Sequence, residues 1–130
     1  MSIANRRAGG LAALLGSAGL MHFVKPDFFD PIVPRWMPGA PRTTTYVSGA
    51  VELAAAALVV PTATRRLGGL VAALTLLGVY PANVQAALDG GMKGAAPPFD
   101  SALAAWLRLP LQLPMIALAL RVRREAGSAS

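Results

Sequence analysis

The chain has no cysteine and a single histidine among its 130 residues. By itself it therefore cannot form a disulfide, run thiol exchange, ligate an iron–sulfur cluster or hold haem between two of its own histidines. No metal site is expected. Redox chemistry on this chain would need a bound organic cofactor or another subunit. Charge is scarce as well: 14% of the residues are Asp, Glu, Lys or Arg, against 55% that are hydrophobic. That balance is far from the composition of an ordinary soluble domain.

The apolar residues cluster into four blocks, about Ala8 to Val24, Tyr46 to Val60, Leu67 to Leu88 and Ser101 to Val122. Each is near the roughly 17 to 25 residues that cross a bilayer as a helix. Four such spans use most of the chain. The expected architecture is all-α, an integral membrane four-helix bundle forming one domain over residues 1–124, followed by a disordered tail at 125–130. The opening NRRAGGLAALLGSAGL resembles a secretion signal, but its apolar run continues through Leu20, Met21, Phe23 and Val24, so a retained first helix is expected.

The net charge of +6 does not indicate nucleic acid, because the basic residues follow topology rather than one face. Arg6 and Arg7 precede the first block, Arg65 and Arg66 separate the second and third, and Arg121, Arg123 and Arg124 follow the fourth. The other two connections carry Lys25, Arg35, Arg42 and Lys93, diluted by Asp27, Asp30, Asp89 and Asp100. The positive-inside rule then places both termini in the cytoplasm.

From Lys25 to Thr45, prolines at 26, 31, 34, 38 and 41 forbid a continuous helix. Phe28, Phe29, Ile32, Val33, Trp36 and Met37 are nevertheless too apolar for an open loop. The segment is expected to lie at the outer headgroup layer with a short helical turn, as an interfacial anchor or as a lid over whatever lies between the helices. Pro81 in the third helix and Pro110 and Pro114 in the fourth free backbone carbonyls that need partners.

Counting about 1.5 Å of rise per residue puts the polar side chains of the spans at one level. His22 lies near the outer end of the first helix, and Asn83 and Gln85 near that of the third. Glu52 and Arg108 each lie roughly 10 Å down from the outer ends of their helices. Gln112 is one turn below Arg108. Arg108 stays charged and must snorkel or find an anion, and Glu52 is the only carboxylate within the spans, so a Glu52–Arg108 pair is expected. Two readings stand open. One is a structural clamp that holds the helices together; the other is a ligand or proton site, in which His22 beside a carboxylate carries protons.

The stretches GLMHFVKPDFF, YVSGAVELAAAALVVPTATRR, YPANVQAAL and WLRLPLQLP, in this order, resemble the DoxX family of small four-helix bacterial membrane proteins from about Gly16 to Leu120. The family's histidine closing the first helix falls on His22, its glutamate after Ser-Gly on Glu52, its Pro-Ala-Asn on residues 81–83, and its Arg-Leu-Pro-x-Gln on residues 108–112. The wider group includes small membrane subunits of thiosulfate:quinone oxidoreductase. By this resemblance the polar cluster would take a quinone headgroup: Arg108, Gln112 and Asn83 donate to an oxygen, while His22 and Glu52 exchange protons with the outside. It also implies the bacterial cytoplasmic membrane and a redox partner subunit; the residues themselves show no complete catalytic site, and a transporter of 130 residues would have to be a homo-oligomer.

Overall fold

The computed structural model describes residues 1–92, 97–98 and 100–128. Four long helices make up most of it: α1 (Ile3–Val24), α2 (Pro41–Val59), α3 (Arg65–Leu88) and α4 (Ala102–Ser128). No strand occurs among the described residues. Neighbours in sequence are neighbours in space. α1 packs on α2, α2 on α3 and α3 on α4, and a thinner contact between α4 and α1 closes the ring, which leaves α2 and α4 on a diagonal.

Small residues let the backbones approach. A Cβ on Gly19 would stand 2.9 Å from the Gly49 carbonyl oxygen, and one on Gly49 would stand 2.6 Å from the His22 Cβ. Glycine at both positions allows α1 and α2 to touch backbone to backbone. Below this crossing the core is built from Ala8, Leu11, Leu15, Ala55, Val59 and Ala72, with Ala119 and Val122 of α4. A second apolar cluster, Ile32, Ala86, Ala87, Met92 and Ala105, lies toward the other end of α3 and α4.

The proline-rich connection behaves as its sequence requires. Two 3-10 turns, Pro26–Phe28 and Asp30–Ile32, each have proline at the start, where its missing N–H and fixed φ do no harm. Together they bend away from α1 by 100°. α2 starts at Pro41, earlier than the apolar block beginning at Tyr46, because proline suits the first helical turn and Thr43 N bonds the Ala40 carbonyl. At its far end the carbonyls of Leu58, Val59 and Val60 accept bonds from Thr64 and Arg65 side chains, which satisfies a helix terminus that would otherwise be bare.

α3 and α4 are each long and apolar enough to cross a bilayer, and α1 joins them when taken with the bent segment after it. Their outer faces are as apolar as the core: Leu74 and Leu77 on α3 and Leu103, Leu107 and Leu111 on α4 are exposed. A soluble exterior rarely carries so continuous an apolar surface, whereas lipid would cover it without penalty.

One expectation fails at the end of the chain. The polar tail was assigned no structure from residue 125, yet α4 continues through Ser128. Glu125 accepts a bond from Arg7, so the last turns of α4 are tied to α1 instead of being released into solvent. Ala129 and Ser130 lie outside the described residues, as do Lys93 to Ala96 and Phe99 of the stretch GGMKGAAPPF, which reads in sequence as a flexible outer loop.

Candidate functional site

Between the two apolar clusters the four helices leave a cavity of about 230 Å³. His22 at the end of α1, Glu52 in α2, Asn83 in α3, and Arg108 and Gln112 in α4 all line it. Phe29 and Ile32 of the bent segment, and Trp36 and Met37 of the stretch between it and α2, cover it. The expected juxtaposition therefore forms for five of the six polar residues. Gln85 is the exception. Two residues on from Asn83, it points elsewhere on α3, where its amide donates to Asp89 Oδ1 at 3.0 Å, and it does not line the cavity.

Glu52 and Arg108 do not pair. Among the described residues no carboxylate lies within 4 Å of Arg108. Matching depth put the two groups at one level, but α2 and α4 face each other across the diagonal, with the cavity between them. Arg108 turns instead toward the C-terminal end of α3, donating to the Met92 sulfur and standing 5.5 Å over the Phe28 ring. A thioether is a weak acceptor, and the aromatic face adds a cation–π attraction that strengthens where water is excluded.

Glu52 is 5% exposed, and its Oε2 is buried without a hydrogen bond. The nearest nitrogen of a basic side chain is His22 Nδ1, 3.6 Å from that oxygen and too far for a bond. The Nδ1 proton is already committed to the Ala18 carbonyl at 2.6 Å. That bond leaves Nε2 as the free acceptor of the neutral ring. The ring also stacks on Phe29 with centroids 3.7 Å apart, so the covering segment fixes the imidazole from above.

Gln112 spends its whole amide on α3. Its Nε2 donates to the Leu76 carbonyl and its Oε1 accepts from Asn83 Nδ2. The link between α3 and α4 thus comes from two neutral amides, with further help from Tyr80 Oη, which donates to the Leu109 carbonyl beside Pro110 at 3.2 Å.

A latch holds the cover down. Arg42, in the first turn of α2, donates to Asp27 Oδ1 at 2.6 Å and to Asp30 Oδ2 at 2.8 Å. Thr45 donates to Asp30 Oδ1 at 2.6 Å. Reading the sequence assigned Arg42, Asp27 and Asp30 only to the charge balance of a loop. Met92 was missed too, since nothing in a glycine-rich loop marks a methionine that will fold back under a helix. It is fully buried.

The arrangement offers one unsatisfied carboxylate, one imidazole nitrogen and one weakly engaged guanidinium around a roofed space with otherwise apolar walls. No curated protein and no solved structure matches the chain. Residues 11–123, by contrast, match the family described as a domain of unknown function, DUF8561. The chain belongs to that family.

Proposed function

We propose that this protein is an integral membrane four-helix bundle of the bacterial cytoplasmic membrane, with both termini in the cytoplasm. Its outward-facing cavity binds the headgroup of a quinone-like or lipidic ligand, and it serves as an accessory subunit to a redox partner. The likeness of its motifs to the DoxX family supports the quinone class.

The observation that carries this reading is the cavity between Glu52 and Arg108, with a buried Glu52 oxygen left without a partner. Buried carboxylates are ordinarily hydrogen-bonded, and an orphan aimed at a cavity is suited to a donor supplied by an occupant. At about 230 Å³ the space falls below the roughly 300–1,000 Å³ of a pocket that engulfs a whole drug-sized molecule. It fits a ring-sized headgroup whose apolar remainder runs out among the helices. Glu52 and His22 would face one side of that headgroup and Arg108 the other, so a two-oxygen ring could be held from both ends. The competing reading is a scaffold in which the Glu52–Arg108 pair only holds the bundle together. A clamp of that kind requires the two charges to meet, and the α3–α4 link instead runs through Asn83 and Gln112.

Organic extraction and mass spectrometry of the detergent-purified chain test the proposal. An isoprenoid quinone is expected at close to one per chain, falling at least tenfold in Glu52→Gln and in Arg108→Gln and unchanged in Gln85→Ala. Quinone no higher than in an unrelated membrane protein prepared alongside would reject the quinone class. A phospholipid retained with the same dependence on Glu52 would assign the cavity to lipid.

A further inference from the structure

At the opposite end of the bundle the chain gathers Arg6, Arg7, Arg65, Arg66, Arg121, Arg123 and Arg124, with Glu125 as the acid among them. Two of these arginines have structural roles. Arg7 pairs with Glu125. Arg65 caps α2 through the Val59 and Val60 carbonyls and reaches Asn5 Oδ1 at 2.9 Å.

Arg66 from the first turn of α3, and Arg123 and Arg124 from the last turns of α4, are arranged differently. With Gly127 they line a separate cleft of about 280 Å³, and among the described residues no carboxylate side chain belongs to its walls. Two glycines shape it. A Cβ on Gly69 would stand 2.9 Å from the Arg123 backbone nitrogen, so α3 and α4 meet backbone to backbone beside the cleft. A Cβ on Gly127 would lie 3.6 Å from the Arg66 guanidinium carbon, so that guanidinium rests along α4. Arg123 in turn reaches the Arg66 carbonyl at 3.5 Å. Three arginines from two helices thus line one recess, two of them with guanidinium groups held against the facing helix, and their mutual repulsion favours an anion that accepts from several of them.

The surroundings say which anion. Leu67 adjoins Arg66, Leu120 precedes Arg123 by one turn, and both are exposed. Leu74 and Leu113, also exposed, extend each column by seven residues along the apolar length of α3 and α4. A basic recess that opens onto two apolar columns matches a molecule with a phosphate at one end and hydrocarbon at the other.

We propose that the cleft between the start of α3 and the end of α4 binds the phosphodiester headgroup of an acidic phospholipid, with its acyl chains lying on the exposed leucines. Guanidinium forks grip phosphate oxygens in pairs, which an ammonium cannot do.

Native mass spectrometry of the full chain in detergent, titrated separately with phosphatidylglycerol, phosphatidylcholine and inorganic phosphate, tests this. Phosphatidylglycerol is expected to bind at least tenfold more tightly than phosphatidylcholine. Each arginine neutralised should weaken it about fivefold, so Arg66→Gln with Arg123→Gln should lose roughly 25-fold. Arg35→Gln at the other end should change nothing. Equal binding of the two lipids, or full binding by the double glutamine variant, overturns the proposal; so does tight binding of inorganic phosphate without a preference for phosphatidylglycerol. If the glutamine pair does not fold, Arg66→Lys with Arg123→Lys decides the matter. Loss of the forks should then weaken phosphatidylglycerol severalfold, and undiminished binding overturns the assignment.

Discussion

The Glu52 carboxylate sits among apolar walls with one oxygen lacking a hydrogen bond, an arrangement that lowers the stability of the empty protein. Replacing it by a neutral group of the same shape, Glu52→Gln, should raise the unfolding free energy of the ligand-free chain by about 1–3 kcal/mol while abolishing headgroup binding. Equilibrium unfolding in mixed detergent measures this, and a destabilised variant would instead make Glu52 a strut of the bundle. The opposite sign is expected at Gln112. Its amide bridges Leu76 and Asn83, so Gln112→Leu removes both side-chain bonds between α4 and α3 at this level and should lose about 1–2 kcal/mol in the same assay. The residues involved were legible from depth alone, because each helix contributes its polar side chains at one height. What depth does not encode is direction around the helix axis. An up-and-down ring puts the second and fourth helices on a diagonal, which separates Glu52 from Arg108, and a shift of two residues turns Gln85 off the face that Asn83 occupies.

At the scale of elements, the contact between α1 and α2 and the cover over the cavity are coupled through His22. Its Cβ meets Gly49, its Nδ1 bonds Ala18, and its ring stacks on Phe29. Gly49→Ala would drive a methyl group to 2.6 Å from the His22 Cβ, so the helices must separate. A loss of about 1–3 kcal/mol is expected, together with weaker headgroup binding, since the imidazole moves with α1. The cover is restrained by Arg42 on Asp27 and Asp30, and it is short and bent enough to lift as a unit. Arg42→Met should speed amide hydrogen exchange severalfold at Phe28, Phe29, Ile32 and Val33, whose N–H groups close the two 3-10 turns, and leave exchange in α3 unchanged. Equal exchange in both proteins would show that stacking alone holds the cover. Five prolines and a run of aromatics made a folded, non-helical segment readable here. The latch was not readable, because an arginine twelve residues from its aspartate has no signature until the chain turns back on itself.

For the whole molecule the topology turns on how many of the four helices cross the membrane. α3 and α4 have the length and the apolar composition, and α1 gains them with its bent extension. α2 is shorter, and begins with Pro41, Arg42 and three threonines. Its packing is compatible with a crossing all the same: α2 packs on both α1 and α3, and its C-terminal half contributes Ala55, Ala56 and Val59 to the shared core. At 19 residues α2 is long enough to span, and what it lacks is apolar composition, because its first turns carry Arg42 and three threonines, while Tyr46, Val47 and Val51 form an exposed apolar face beyond them. The absence of cysteine makes the test clean. Single cysteines at exposed Arg35 and Thr62, on either side of α2, and at Asp100, between α3 and α4, can be probed in intact cells with a membrane-impermeant maleimide. With four crossings and both ends inside, Arg35→Cys and Asp100→Cys label from outside, and Thr62→Cys labels only after the membrane is opened. If α2 does not cross, residues 35 and 62 share a side and label together. The arginine cleft and the headgroup cavity keep opposite ends of the bundle in either case, because α3 runs from Arg66 at the one to Asn83 at the other.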